Sequence, residues 1–560
     1  MEKNRGFSRR DFLAAGATSG AVMLTGGFAS VLRTPTLAAA GVPVLEAGIA
    51  RLQAAMASGQ LTSRALVLAY LERIASLNPT LHAVIETNPD AVAIAARLDA
   101  ERRSGKPRGP LHGIPILLKD NIATNDAMQT TAGSLAIYGN RVPADAVIVS
   151  RLRAAGAVIL GKANLGEWAN FRGSAAPDPE LGWVAVGWSA RGGNAINPYV
   201  LSYTPWGSSS GSGIGVAANL CAAAVGTETD GSITGPSNAN LVVGLKPTLG
   251  LVSQRGIIPI SSEQDTAGPM ARSVTDVAIL LGAMQSPFGR VEGHAVPGDY
   301  TRFLRRGALR GARIGADQRY FDDYDSYGNP GDGDAVPLVH EALDAMVALG
   351  ATIVPTDTGD IFDYFGYEFE ALLCEFKAQI AEYLSTLTQT TMRTLADLIA
   401  FNTAHCPAEF ACYGQEIFEA AEATSGDLSD PAYAALRTYA IQAARGGLDG
   451  ALDRDGLDAI VAPHLTNSTA AAVAGYPNIS IPVGVRDSGK PVGMMMYGSF
   501  LHEPQLIAFA YDLEQELNAR VPPRFIGSVA PVADPGLCTA LPKKPHVFTG
   551  RAHLPRGRIF

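Results

Sequence analysis

A chain of 560 residues, 47% hydrophobic and 17% charged, has the apolar content to bury a large core, which excludes an intrinsically disordered polymer. Its net charge of −9 carries no basic footprint, so nucleic acid is not an expected partner. Nine histidines without H-E-x-x-H, five cysteines without C-x-x-C, and no Walker or dinucleotide glycine pattern point to neither a metal nor a cofactor.

The first forty residues read as a targeting segment. Arg9 and Arg10 are followed by a small-residue, weakly apolar run and then by Ala38–Ala40, the pattern of a twin-arginine export signal cut near Ala40. Arg33 and Pro35 interrupt the run before it reaches a membrane span, and no later stretch is long and apolar enough to make one. The expected organisation is a signal over 1–40, one large domain over 41–530, and an irregular tail over 531–560 carrying Lys543, Lys544, Arg551, Arg556 and Arg558. The mature protein would be periplasmic or secreted, without lasting membrane association.

Next come helix and strand patterns in alternation. "TSRALVLAYLERIASLN" places Leu66, Tyr70 and Ile74 at four-residue spacing, with Thr62 or Ser63 to cap the start. "DAVAIAARLDAERRSG" predicts a second helix, and "GIPILLKDNI", bounded by Gly113 and Pro115, a short buried strand. "AVIVSRLRAAGAVILGKAN" predicts a helix turning through Gly156 into a strand at 158–160, and "LVHEALDAMVALGATIVPT" repeats that grammar. "LDAIVAPHL" at 457–465 predicts a further strand, and "GSGIGVAANLCAAAVG" a helix of small residues. Helices alternating with short apolar strands predict an α/β fold with a covered sheet. Cys406 and Cys412 could close a small disulfide loop, although spacing alone does not establish it.

Two glycine–serine loops carry hydroxyl chemistry. "TPWGSSSGSG", 204–213, contains GSSSG, a formal match to the G-x-S-x-G nucleophile elbow. That elbow needs a strand running directly into it, and the preceding "NAINPYVLSYTPW" reads as loop. In "GTETDGSITGP", 226–236, the run Thr229–Asp230–Gly231–Ser232 could present successive backbone N–H groups to one point, as an oxyanion hole requires. A serine hydroxyl needs a base to become nucleophilic. Lys119, at the end of "IPILL", is either a desolvated amine able to accept a proton or a packed stem with a snorkelling head. Its neighbour Asp120 would point to the opposite face of the strand. Lys246, in "GLKPT", reads as structural within a turn-rich segment. All four tryptophans (Trp168, Trp183, Trp188 and Trp206) fall within 168–206, as a local aromatic core or as an apolar wall to an acyl-binding pocket.

Taken together, "GPLHGIPILLKDNI", "LGEWANFRG", "TPWGSSSGSG" and "GTETDGSITGP…GLKPTLGLVSQRGIIPISSEQDTAGPMARSVTD" resemble the amidase signature family over about residues 45–525, most closely its bacterial peptide amidase branch. The resemblance implies one large mixed sheet covered by helices on both faces. It implies a Ser–cis-Ser–Lys triad in which Ser232 is acylated, Ser208 bridges and Lys119 is the base, with a cis peptide at Gly207–Ser208. The 24-residue interval from Ser208 to Ser232 selects Ser208 over Ser209 and Ser210. The backbone N–H groups of Thr229, Asp230, Gly231 and Ser232 would hold the oxyanion, and Ala169, Trp206 and Ser208 would face substrate. Trp206 and Asp230 stand where many relatives carry glycine; 174–186 looks inserted and the segment after His464 shortened. The implied function is an exported serine amidohydrolase that cleaves a carboxamide, such as a peptide C-terminal amide, to acid and ammonia. An aryl-acylamidase or broad-specificity amidase is the alternative, and a non-catalytic binding protein on the same scaffold is the alternative of another class. The expected partner is a small-molecule or peptide amide.

Overall fold

The computed structural model describes residues 38–39, 41–173, 186–285, 289–322, 335–464, 466–529 and Cys538. The paired arginines of the expected export signal, Trp183, nearly all of the 174–186 insertion, and the charged residues of the tail lie outside the described residues.

Eleven strands build the central sheet. In chain order they are β1 (Val84–Thr87), β2 (Pro115–Lys119), β3 (Val158–Ala163), β4 (Ala223–Glu228), β5 (Val243–Lys246), β6 (Thr266–Ala271), β7 (Arg313–Asp317), β8 (Thr352–Thr356), β9 (Ala459–Pro463), β10 (Asn478–Val485) and β11 (Pro491–Tyr497). Across the sheet they run β8-β7-β9-β11-β10-β5-β6-β4-β2-β3-β1. β2 is parallel to both β3 and β4, whereas β6 is antiparallel to β4 and β5, so the sheet is mixed. Every residue of β2 through β6 is buried, which requires cover on both faces. Helices supply that cover. Those that bear on the site are α1 (Ser63–Leu81), α2 (Ser210–Ala217), α3 (Thr234–Ala239), α4 (Phe365–Ser385), α5 (Pro431–Asp455), α6 (Ser468–Ala474) and α7 (Glu503–Leu517). The expected α/β class with one large mixed sheet is the one observed, and the described residues fall within one compact unit.

Local signals placed these elements well. Thr62 rather than Ser63 caps α1, its hydroxyl accepting the Ala65 N–H at 3.1 Å. Gly156 and Gly350, at φ +85° and +98°, make the two predicted helix-to-strand turns, where a side chain would strain the backbone. β3 runs on to Ala163, three residues past its predicted end.

Three expectations need correction. The predicted small-residue helix over 211–226 is two elements: α2 stops at Ala217 and Ala223–Glu228 is strand β4. Alanine favours a helix in isolation, but insertion between β2 and β6 overrides that preference. The small residues matter for approach instead, since a Cβ at Gly226 would lie 2.8 Å from Ser209 Oγ. Lys246 ends strand β5 rather than sitting in a turn. Finally, Cys406 bonds Cys538, with Cα atoms 5.6 Å apart, and not Cys412. Cys412 is buried in a small cluster with Trp188 and Tyr413.

Candidate active site

The parallel pairing of β2 with β4 sets the site, because both strands deliver their carboxyl ends to the same edge. Ile116, Leu117 and Leu118 are wholly buried, each stabilising the core by about 1.5–3 kcal/mol, and they carry Lys119 into the interior at the end of β2. Lys119 Nζ donates to Ser208 Oγ at 2.7 Å and to Thr227 O at 3.0 Å. Complete burial pushes its pKa down to about 7, overcoming the opposing pull of Asp265 and Glu228. Asp120 faces away, as the strand's alternation predicts, accepting from Thr131 Oγ1 at 2.5 Å and Gly133 N at 3.1 Å.

The glycine–serine loop sorts its hydroxyls by partner. No strand runs directly into it: apart from an isolated bridge at Val200, residues 196–206 are irregular, so the nucleophile-elbow geometry is absent. The Gly207–Ser208 peptide is cis. Ser208 is the serine that meets Lys119; Ser209 Oγ instead donates to Thr227 O at 3.1 Å, and Ser210 Oγ to Trp206 O at 2.5 Å. Ser209 N donates to Ser232 O at 3.1 Å, which holds the second loop against the first. Ser208 is fully buried and Ser232 half-buried, so Ser232 is the member of the pair that solvent or a ligand can reach.

Between β4 and α3 lies the turn Thr229–Ser232, with Gly231 at φ +72°. No protein acceptor among the described residues takes the N–H groups of these four residues. Their surroundings are well bonded. Glu228 Oε2 accepts from Ile233 N at 2.7 Å and Thr234 N at 2.9 Å, capping α3. Thr229 Oγ1 donates to Asp265 Oδ1 at 2.5 Å, and Gln264 Nε2 donates to Thr229 O at 3.0 Å. Asp265 also accepts from Ile260 N and Ser261 N at 2.7 and 3.0 Å, while burial pushes its pKa up to about 6. Gln264, Asp265 and the capping role of Glu228 were not predicted. They lie in "TETDGS" and "SEQDT", where nothing in the spacing says which carboxylate meets which backbone group.

Ala169 belongs to a turn, Glu167–Asn170, in which Trp168, Ala169 and Asn170 all take left-handed backbone angles of φ +51°, +56° and +65°. Three consecutive non-glycine residues in that region are uncommon and mark a segment held by its surroundings. Gly166 N donates to Ser208 O at 3.0 Å, so this turn abuts the bridging loop. Arg172 anchors it: the guanidinium is completely buried, bonds Glu167 Oε1 at 2.6 Å and Glu409 Oε2 at 3.1 Å, and lies over Tyr413 and Trp188. The described tryptophans divide. Trp168 packs with Phe418 and Trp188 with Tyr413, each in its own cluster, so both are core. Trp206 stays beside the bridging loop, its ring 5.3 Å from that of His464.

The sequence pattern of the Amidase family matches residues 65–507. A peptide amidase from Stenotrophomonas maltophilia, solved by crystallography, is 48% identical, with a TM-score of 0.79 over 87% of this chain and 100% of that one. An amidase family protein from Bacillus anthracis is 33% identical with a TM-score of 0.77, covering 86% of this chain and 93% of that one. A probable amidase from Arabidopsis thaliana is 41% identical over 517 residues, 91% of this chain and 96% of the relative.

Proposed function

This chain belongs to the amidase family and is an amidase hydrolase, and on that premise we propose that it cleaves peptide C-terminal carboxamides through Lys119, Ser208 and Ser232. Ser232 Oγ attacks the amide carbon; its proton passes to Ser208 Oγ, which gives its own to the neutral amine of Lys119. The oxyanion takes the free N–H groups of residues 229–232. Collapse breaks the C–N bond, and the proton returns from Lys119 by way of Ser208 to the departing nitrogen, which leaves as ammonia. Water then enters, gives its proton to the same relay and releases the carboxylic acid from Ser232. Ala169 and Trp206 line the acyl side in this reading.

One observation carries the proposal: a completely buried amine, with its pKa pushed down to about 7, donates to a serine hydroxyl at 2.7 Å. At neutral pH a large share of that amine is uncharged, which an ordinary lysine near pKa 10.4 is not. The peptide-amide substrate is supported by the likeness to the Stenotrophomonas peptide amidase. A serine-directed fluorophosphonate tests the chemistry: an adduct at Ser232 is expected, and its absence, or an adduct at Ser209, overturns it. Peptide amides should then be hydrolysed faster than anilides or simple aliphatic amides, and a preference for anilides would replace the substrate class with an aryl-acylamide. Arg9 and Arg10 extend the proposal to twin-arginine export into the periplasm or medium. Replacing both with lysine should leave the unprocessed chain in the cytoplasm, and unchanged export of that variant would remove this part.

A further inference from the structure

The turn that presents the free N–H groups is tied to its surroundings at two side chains of different reach. Thr229 is held by Asp265 and Gln264, 36 and 35 residues away. Asp230 reaches much farther. Its Oδ1 accepts from Ser468 Oγ at 2.8 Å and its Oδ2 from Thr469 Oγ1 at 2.6 Å, 238 and 239 residues along the chain. Both donors are buried in the first turn of α6. A carboxylate that accepts one hydroxyl on each oxygen makes two charge-assisted bonds, the strong class of hydrogen bond.

We propose that the Asp230 carboxylate is a positioning residue: with Ser468 and Thr469 it clamps the turn so that the Gly231 and Ser232 N–H groups stay aimed at the reacting carbonyl. The Asp230–Gly231 peptide rotates about ψ of Asp230 and φ of Gly231. Glycine resists that rotation least of all residues, and Gly231 already sits at φ +72°. On the far side, Gly231 O is pinned by Gly235 N at 2.8 Å. Restraint on the near side falls to the Asp230 side chain. A flipped peptide would aim a carbonyl where the oxyanion needs a donor, and losing one such donor slows acyl transfer by roughly 10²–10³-fold. The clamp also joins the turn to α6.

The inference rests on Ser232 being the nucleophile, so its test reads the rate at which a fluorophosphonate labels Ser232, which requires no knowledge of the natural substrate. In the unaltered protein, no adduct at Ser232 would defeat the functional reading itself; labelling there leaves only the clamp in question. Asp230→Ala is expected to label roughly 30- to 300-fold more slowly, and Ser468→Ala with Thr469→Val to lose a similar factor. Combining all three should cost no more than about threefold beyond the slower parent, because one clamp is broken only once. Asp230→Asn, which can still accept one hydroxyl, should recover to within about tenfold of the unaltered rate. The pH profile separates a clamp from general support. Desolvation pushes Asp230 up to about 6, against the pull of Thr469, Ser468 and Lys246 and with the help of Glu228; Tyr364 and Glu368, at the start of α4, also face it. Labelling should therefore fall in two steps on acidification, near 7 for Lys119 and near 6 for Asp230, and Asp230→Asn should lack the lower step. If Asp230→Ala does not fold, the hydroxyl pair decides alone, since it leaves the turn's own sequence intact. Labelling of the hydroxyl pair within threefold of the unaltered rate, or losses that multiply in the triple variant, would overturn the clamp.

Discussion

Lys119 and Lys162 stand on neighbouring parallel strands, both wholly buried, and they have been put to different uses. Lys162 pairs in register with Leu118, one position before Lys119, so the two side chains leave the sheet on opposite faces. On its face Lys162 donates to Ile122 O at 2.6 Å and Thr130 Oγ1 at 2.9 Å; burial pushes it down to about 8, with Asp120 pulling the other way. Lys119, down to about 7, meets Ser208, whose loop is bonded to Ser232. Lys246, also down to about 8, finds a backbone carbonyl, Pro247 O, at 3.3 Å. A depressed pKa is therefore common to three buried lysines, and of these Lys119 is the one that donates to a serine, on a loop whose Ser209 N–H is bonded to Ser232 O. In the proposed mechanism burial supplies the neutral amine, and the partner supplies the function.

Removing the amines is the strongest way to break that contrast. Lys119→Ala should lower kcat/KM by about 10³-fold or more, at the upper part of the range for a lost general base, while Lys162→Met should leave kcat/KM of the folded enzyme within about twofold. Steady-state kinetics on both variants checks this, and a comparable loss in Lys162→Met would erase the distinction. Acidification acts on the same group reversibly. Only the uncharged amine accepts a proton, so kcat/KM should climb with pH and level off above about 7, falling close to tenfold per unit well below it.

Stability should follow the same amine in a predictable direction. Between about 7 and the ordinary lysine value of roughly 10.4 the unfolded chain holds a proton on Lys119 that the folded one has lost. The unfolded state thus binds more protons, and this residue makes the fold more stable as pH rises through that window. Denaturant midpoints at pH 7 and 9 should diverge less in Lys119→Met than in the unaltered chain. Lys162→Met should cost about 1–3 kcal/mol by denaturant titration, since Ile122 O and Thr130 Oγ1 lose a donor inside the core. The smallest effect on the chemistry belongs to Ser209→Ala, which should cost about 0.5–1.5 kcal/mol of stability for each of the two bonds its hydroxyl makes with Thr227 O and Thr227 N, with fluorophosphonate labelling of Ser232 preserved.

Much of this was readable before folding was known, and the misses have a common cause. The helix at 63–81, the strand ending at Lys119 and the two helix–glycine–strand turns follow from periodicity and turn chemistry within a few residues, both local properties. The alanine-rich stretch after Ala217 reads as helix in isolation because its strand state depends on β2, which ends at Lys119, and β6, which begins at Thr266, both far from it in sequence. The cysteine partner was misplaced for a similar reason, as Cys538 lies 132 residues beyond Cys406. Of the two readings open for the tryptophans, local core or pocket wall, Trp168 and Trp188 take the first, packed against Phe418 and Tyr413 from distant segments.

By itself the sequence determined which residue types were available and in what order: a lysine closing an apolar strand, two glycine–serine loops, and free backbone donors wherever glycine permits a tight turn. Those are short-range matters of side-chain chemistry and backbone freedom. Only the tertiary structure decided that Lys162 and Lys246 share the burial of Lys119 without its serine partner, and that Asp230 reaches across the molecule to Ser468 and Thr469. Hydrogen bonds form over about three ångströms, and only the packed sheet brings groups hundreds of residues apart to that distance.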